Sequence, residues 1–272
     1  MTYRLFEAKD HASIYQRYRF TPPDELKNII LQYLDKKKGR PHVLAVDLGC
    51  GTGQNSRLMS PHFQEVVGID ISEHQLEEAR AVPGYPNITY RKGTAEELPF
   101  PDASVDLLTA ASAAHWFHQS RFLAEAGRVL KPLGCMALLG FSDHDTTLRY
   151  QDCGERLRHI YDEVKQVLLP YTSSQVAVAD GKLEELYSAI PFPDKERVEG
   201  IKVNSSISVR NLVGFIESFS MFQAYKKKDP QSAEDLLLST QKRFLEEMGV
   251  TSPDTEIEQE LDYFCVLASK PQ

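Results

Sequence analysis

Apolar positions along the chain fall first at helical spacing and then in short unbroken runs. After Pro22-Pro23-Asp24, which suits a helix start, Leu26, Ile29, Ile30, Tyr33 and Leu34 recur on one helix face. Lys36-Lys37-Lys38-Gly39 closes that helix with positive charge and a glycine. The first 40 residues therefore read as helical. Val43 to Leu48 is an apolar run that ends in glycines, the pattern of a buried strand. Similar runs follow at Glu65 to Asp70, Ile88 to Lys92, Val105 to Ala110 and Cys135 to Phe141. Helical segments fall between them: Gln54 to Met59, a stretch from Ser72 to Ala81, and Ser120 to Leu130. Ser72 with Gln75 reads as a capping box for the second of these.

Strand and helix alternating at this spacing demand a parallel sheet with helices on both faces. Beyond Phe141 the pattern loosens. Cys153 to Leu168, Val209 to Tyr225 and Glu234 to Met248 read as helices, the last ended by Gly249. Val198 to Val209 and Glu258 to Ala268 read as strands. The expected topology is a parallel α/β core closed by two late strands, one of them antiparallel. Helical stretches at 1–40, 145–195 and 209–250 would cap it.

Length and composition narrow the class. The 272 residues suit one large domain or two small ones, with 42% hydrophobic and 26% charged residues. A net charge of −8 argues against nucleic acid as the main partner, because phosphate binding needs a basic face. Lys36-Lys37-Lys38 and Lys226-Lys227-Lys228 read as solvated helix ends. No apolar run is long enough to span a bilayer, and Met1 to Glu7 lacks the apolar core of a signal peptide. Cys50, Cys135, Cys153 and Cys265 form no C-x-x-C pair, so a zinc site is not expected. Reduced thiols without a leader point to the cytoplasm. His115, His118 and Asp143-His144-Asp145 read as polar loop residues, and no metal is expected there.

The chemistry concentrates in Val46-Asp47-Leu48-Gly49-Cys50-Gly51-Thr52-Gly53, where the first strand turns into a helix. Gly49, Gly51 and Gly53 permit a tight turn and close approach of backbone to a ligand. The helix start that follows offers free N–H groups. The spacing is G-x-G-x-G, neither the G-x-G-x-x-G of dinucleotide binders nor a Walker loop. Asp70 ends the second strand, 23 residues after Asp47. A carboxylate there suits the two hydroxyls of a ribose. Gly93-Thr94-Ala95-Glu96 follows the third strand over the same crevice. An adenosine compound across the carboxyl ends of the strands is the expected ligand.

At these residues the chain resembles the class I S-adenosylmethionine-dependent methyltransferases. Asp47 to Gly53, Gly68-Ile69-Asp70-Ile71-Ser72, Gly93 to Phe100, Asp102 to Leu108 and Arg128-Val129-Leu130-Lys131-Pro132-Leu133-Gly134 match successive family segments. Tyr15-Gln16-Arg17-Tyr18-Arg19-Phe20-Thr21-Pro22 and Ala113-Ala114-His115-Trp116-Phe117 are similar to segments of the trans-aconitate methyltransferase-like group. So, in degraded form, is Phe219 to Tyr225. Phe20, Pro23 and Phe219 depart from that group's pattern, which weakens any transfer of its substrate.

The resemblance implies a Rossmann-like, seven-stranded, mostly parallel sheet with a helical cap over the site. It implies a single domain over 1–272: a lid at 1–40, a cofactor-binding core at 41–141, and cap helices with the last two strands at 142–272. S-adenosyl-L-methionine would be the cofactor and S-adenosyl-L-homocysteine the product. Asp47 would orient the glycine loop or meet the cofactor's amino-acid part, and Ile71, Ala95 and Glu96 would face the adenine. Ala111 would stand by the sulfonium. Tyr18 and Arg19 would reach the cofactor carboxylate or the substrate. His115 and Trp116, the candidate catalytic residues, would form an aromatic wall for substrate or cofactor, with His115 acting as a base or hydrogen-bond donor. No N-P-P-Y or D-P-P-Y motif follows the fourth strand, which favours oxygen of a small molecule over amide or amine nitrogen. The acceptor is thus read as a small molecule, with carboxylate O-methylation the leading case. An amine, thiol or carbon acceptor, or a cofactor-binding pseudoenzyme, are the alternatives. Neither nucleic acid nor membrane is an expected partner.

Overall fold

A computed structural model describes residues 9–174 and 181–272. Helices α1 (Lys9–Tyr18) and α2 (Asp24–Lys37) precede β1 (Leu44–Leu48), α3 (Gln54–Met59), β2 (Glu65–Asp70), α4 (Glu73–Arg80) and β3 (Ile88–Lys92). The core continues through β4 (Val105–Ala111), α5 (Gln119–Val129) and β5 (Leu130–Arg149). Then come α6 (Gly154–Leu168), α7 (Glu184–Ala189), β6 (Asp194–Ser208), α8 (Val209–Glu217), α9 (Ser220–Lys228), α10 (Pro230–Met248) and β7 (Glu256–Ser269). One sheet holds all seven strands in the order β3-β2-β1-β4-β5-β7-β6. Strands β1 to β5 pair in parallel. Strand β7 runs antiparallel to both β5 and β6. The expected sheet, with one antiparallel strand among the late two, is what forms.

The chain order reverses beside β1, because β2 lies on one side of it and β4 on the other. That reversal opens a crevice at the carboxyl ends of the strands. Burial explains the layers. Leu107 and Leu108 are both fully buried yet face opposite sides of the sheet. Leu108 joins Val46, Phe122 and Met136, whereas Leu107 joins Leu26, Ile30 and Leu34 of α2. A third cluster, with Leu157, Val164, Ile216, Phe222 and Phe244, binds α6, α8, α9 and α10 into a cap.

Three expectations need correction. Strand β5 does not stop at Phe141 but runs to Arg149, with a register shift between Ser142 and Thr147, because β7 supplies partners along its whole length. A core-to-cap boundary at 141 therefore falls inside a strand, and the expected helical stretch from 145 begins only at Gly154. The expected helix from Val209 to Tyr225 breaks at Ser218-Phe219. There the Ser218 carbonyl accepts from His11 Nε2 at 2.9 Å and from the Arg19 guanidinium at 3.3 Å, instead of continuing the ladder. The capping box forms by half: Ser72 Oγ accepts from Gln75 N at 3.3 Å, but Ser72 N donates to Asp70 Oδ1.

Asp106, at the start of β4, holds the lower edge of this core. Its side chain is fully buried and pairs with Lys38 at 2.8 Å and Lys131 at 3.1 Å. It also accepts from Val43 N at 3.2 Å and Leu44 N at 2.8 Å. Burial alone would raise this carboxyl, but the hydrogen bonds from Lys38, Leu44 and Lys131 outweigh it and hold it below its ordinary 3.8. A depressed carboxylate stabilises the fold above its unfolded value and loses that contribution as pH falls through the folded one. Asp106→Asn is expected to cost about 2 kcal/mol at neutral pH. It should also flatten the loss of stability below about pH 4. Urea unfolding of both proteins at neutral and acid pH measures both effects.

Candidate cofactor and acceptor site

The glycine turn leaves β1 with Gly49 at φ 60°, Gly51 at φ 54° and Gly53 at φ 89°, all left-handed. At Gly49 the constraint is twofold, because a Cβ there would also stand 2.6 Å from the Cβ of Ala113. Cys50 N donates to Ile69 O at 3.0 Å, which ties the turn to β2. Asp70, at the end of β2, accepts from Gly51 N at 2.8 Å through Oδ2 and from Ser72 N at 2.9 Å through Oδ1. The Ile71 amide also bonds this carboxylate, which lines a cavity. Burial raises the Asp70 carboxyl, and the amides of Ser72 and Gly51 work against that.

Asp47 is buried behind the turn. It accepts from Asn55 Nδ2 at 2.9 Å, Ser56 Oγ at 2.6 Å and Thr109 Oγ1 at 2.9 Å, joining β1, α3 and β4. Burial pushes its carboxyl up, opposed by those three donors. Because Asn55 Nδ2 also donates to Thr109 Oγ1, the amide's orientation is set, and Asn55 Oδ1 is left buried without a partner.

A cavity of about 520 Å³ opens over these residues. Gly49, Gly51, Asp70, Ile71, Ala95 and Glu96 line one end. His115 and Trp116 line its middle. Glu96 accepts from His118 N at 2.6 Å, which draws the segment after β4 against the one after β3. Tyr15 and Arg19 come in from α1, and Phe215 and Phe219 from the cap. A small adjoining cavity of about 50 Å³ is lined by Asp47, Asn55, Ala111 and, again, Arg19.

The sequence-predicted residues thus come together, with two exceptions. Gly53 caps α3 behind the cavity. Tyr18 lines neither cavity: its ring fills the notch over Gly214 of α8, where a Cβ would meet it at 2.4 Å. The tyrosine that faces the site is Tyr15, one helical turn earlier. Asp143 lines the cavity, in the crevice where the sequence places it, whereas Gln75 and Lys165 are lining residues that sequence reasoning missed. Gln75 was assigned to a cap, and Lys165 sits on a helix whose docking over β5 has no local signal.

Two groups carry the electrostatics. The Arg19 guanidinium lies 4.7 Å from the Tyr15 ring, 5.2 Å from Phe215 and 5.4 Å from Phe219. Its Nε is buried without a hydrogen bond, and no carboxylate among the described residues pairs with it. Burial, aided by the nearby Arg19 charge, pushes His115 down to about 4. The imidazole is therefore neutral at physiological pH.

These features fit S-adenosylmethionine. Asp70 has capacity for a ribose, Arg19 awaits a carboxylate, and Asn55 Oδ1 awaits a donor. The glycine turn leaves backbone that a ligand can approach. Gly49→Ala should lower affinity for S-adenosylhomocysteine at least about tenfold while the protein stays folded, as read by titration calorimetry and circular dichroism. Unchanged affinity would show that the turn does not contact the ligand.

Residues 46–138 match a methyltransferase domain. A Dictyostelium discoideum protein described as a methyltransferase is 27% identical over 243 residues, covering 89% of this chain and 86% of that one. The fold is shared with a protein of Anaeromyxobacter dehalogenans designated a type II methyltransferase. That likeness has a TM-score of 0.73 at 22% identity, over 94% of this chain and all of that one. A phosphoethanolamine N-methyltransferase of Haemonchus contortus, solved with S-adenosyl-L-methionine, shares the fold at TM-score 0.51 and 17% identity. That alignment covers 99% of this chain and 59% of the other. Its methyltransferase domain, its sheet order and these relatives make the chain an S-adenosylmethionine-dependent methyltransferase with a Rossmann-like fold.

Proposed function

We propose that the chain transfers the cofactor's methyl group to a small molecule, with a carboxylate oxygen as the acceptor atom. One observation carries this reading: the site is a cavity of about 520 Å³ to which Tyr15 of α1 and Phe215, Phe219 and Met221 of the cap add walls beside those of the core. Its volume suits small-molecule ligands. In this reading 1–272 is a single domain, with the helices before residue 41 and after the core acting as lid and cap.

Each residue then has a role. Gly49 and Gly51 present backbone to the cofactor, and Asp70 accepts from its ribose. Ile71, Ala95 and Glu96 surround the adenine. Arg19 holds the methionine carboxylate, a task suited to its planar fork. Asp47 orients the turn through α3, and Ala111 borders the methionine end. His115 and Trp116 wall the acceptor. The entry-helix segment from Tyr15 to Pro22, similar to that of the trans-aconitate methyltransferase-like group, supports a carboxylate acceptor.

The cofactor supplies an electrophilic sulfonium methyl. The protein aligns the acceptor oxygen with it and keeps water out. Alignment of this kind accounts for about 7–11 kcal/mol in well-oriented reactions. An oxygen–carbon bond forms as the carbon–sulfur bond breaks. The carboxylate's negative charge and the sulfonium's positive charge cancel, and no proton moves. His115 supports this choice: a base near 4 is poorly matched to deprotonating an amine or phenol at neutral pH, but it can hydrogen-bond an acceptor.

Incubation with methyl-labelled cofactor and a panel of small carboxylic acids should yield label in a base-labile ester. Transfer only to protein or RNA would overturn the reading. With the best acid, the rate at saturation should stay flat from about pH 5 to about pH 8, because neither the acid nor His115 changes charge there. A limb near the ordinary histidine value would instead identify His115 as a titrating base.

A further inference from the structure

We infer that Lys165, positioned by Asp143 and Tyr161, anchors an anionic group of the methyl acceptor. The inference rests on the methyl-transfer reading above and names a specificity determinant within it. Lys165 of α6 and Asp143 of β5 both line the large cavity, on walls that the glycine turn does not supply. The Asp143 carboxylate is fully engaged: Oδ1 accepts from Tyr161 Oη at 2.7 Å and Oδ2 from Lys165 Nζ. Its backbone carbonyl accepts from Arg158 at 3.2 Å, which fixes the strand at that point. Tyr161 is buried, and burial together with Asp143 pushes its phenol well above the ordinary value, so it stays a donor.

This arrangement aims the lysine. An ammonium has three donors, and Asp143 is the one carboxylate paired with Lys165 among the described residues. The remaining donors are available in a cavity lined near by with both apolar side chains, Phe141, Phe215, Phe219 and Met221, and uncharged polar ones, Gln166 and Thr172.

Charge points to the sign of the ligand. The other carboxylates that line the cavity, Asp70 and Glu96, belong to the adenosine end. With Arg19 assigned to the cofactor's carboxylate, the charged side chains left for the acceptor are Lys165 and its partner Asp143, and His115 is neutral. Arg19 is close enough to act electrostatically on both His115 and Tyr161, so these groups share one field. A bound sulfonium adds further positive charge. Beside the apolar walls the ammonium and the sulfonium together favour an anion over a neutral acceptor of the same shape. The acceptor class is an organic acid with an apolar body.

Trp116 is the only tryptophan in the chain and lines the cavity, so its fluorescence reports occupancy. Protein saturated with S-adenosylhomocysteine is titrated with phenylacetate and with its neutral isostere phenylacetamide. Phenylacetate should bind at least about tenfold more tightly. Lys165→Gln should remove that preference while leaving affinity for S-adenosylhomocysteine unchanged, and Lys165→Arg should keep most of it. Equal affinity for the two probes, no binding of phenylacetate, or an undiminished preference in Lys165→Gln would overturn the inference. Failure of the wild type to bind S-adenosylhomocysteine would instead overturn the methyl-transfer reading beneath it.

Discussion

The Asp70 carboxylate holds the site together. One oxygen takes the Gly51 amide and the other the Ser72 amide, so a single side chain joins the end of β2 to the glycine turn and to the start of α4. Those amides lie outside any helix or strand ladder, and without the carboxylate they would need another acceptor. The same bonds make the carboxylate tolerable where it is. Burial raises it, and the amides favour its charged form. The carboxylate also lines the cavity.

Behind this front stands a second buried acid. Asp47 gathers Asn55, Ser56 and Thr109, so the turn rests on β1, α3 and β4 together. The two acids divide the work: Asp47 fixes the scaffold and Asp70 lines the large cavity. Across the cavity, Arg19 sits in a ring of aromatic side chains without a carboxylate partner among the described residues.

Much of this was legible in the sequence because the core is locally determined. Strands β2 and β3 and helix α3 lie where periodicity puts them, since each apolar run is bounded by its own turn residues. The glycine turn and Asp70 were legible for the same reason. Apart from the capping box, where Asp70 two residues back takes the Ser72 amide, the misreadings involve distant partners. Strand β5 is long because β7 pairs with it. Helices α8 and α9 are separate because α1 takes the Ser218 carbonyl, although both bury apolar residues in one cap core and so keep one apparent period. Tyr15 replaces Tyr18 at the site because Gly214 opens a notch for the latter. Lys165 emerged only once α6 was seen packed over β5.

The most direct measurement is calorimetric titration of S-adenosylhomocysteine into the wild type and into Asp70→Ala, with folding checked by circular dichroism. Saturable binding by the wild type, weakened at least about tenfold in the variant, is the predicted result. A folded wild type that does not bind, or a folded variant that binds equally well, would contradict the assignment of this crevice to the cofactor.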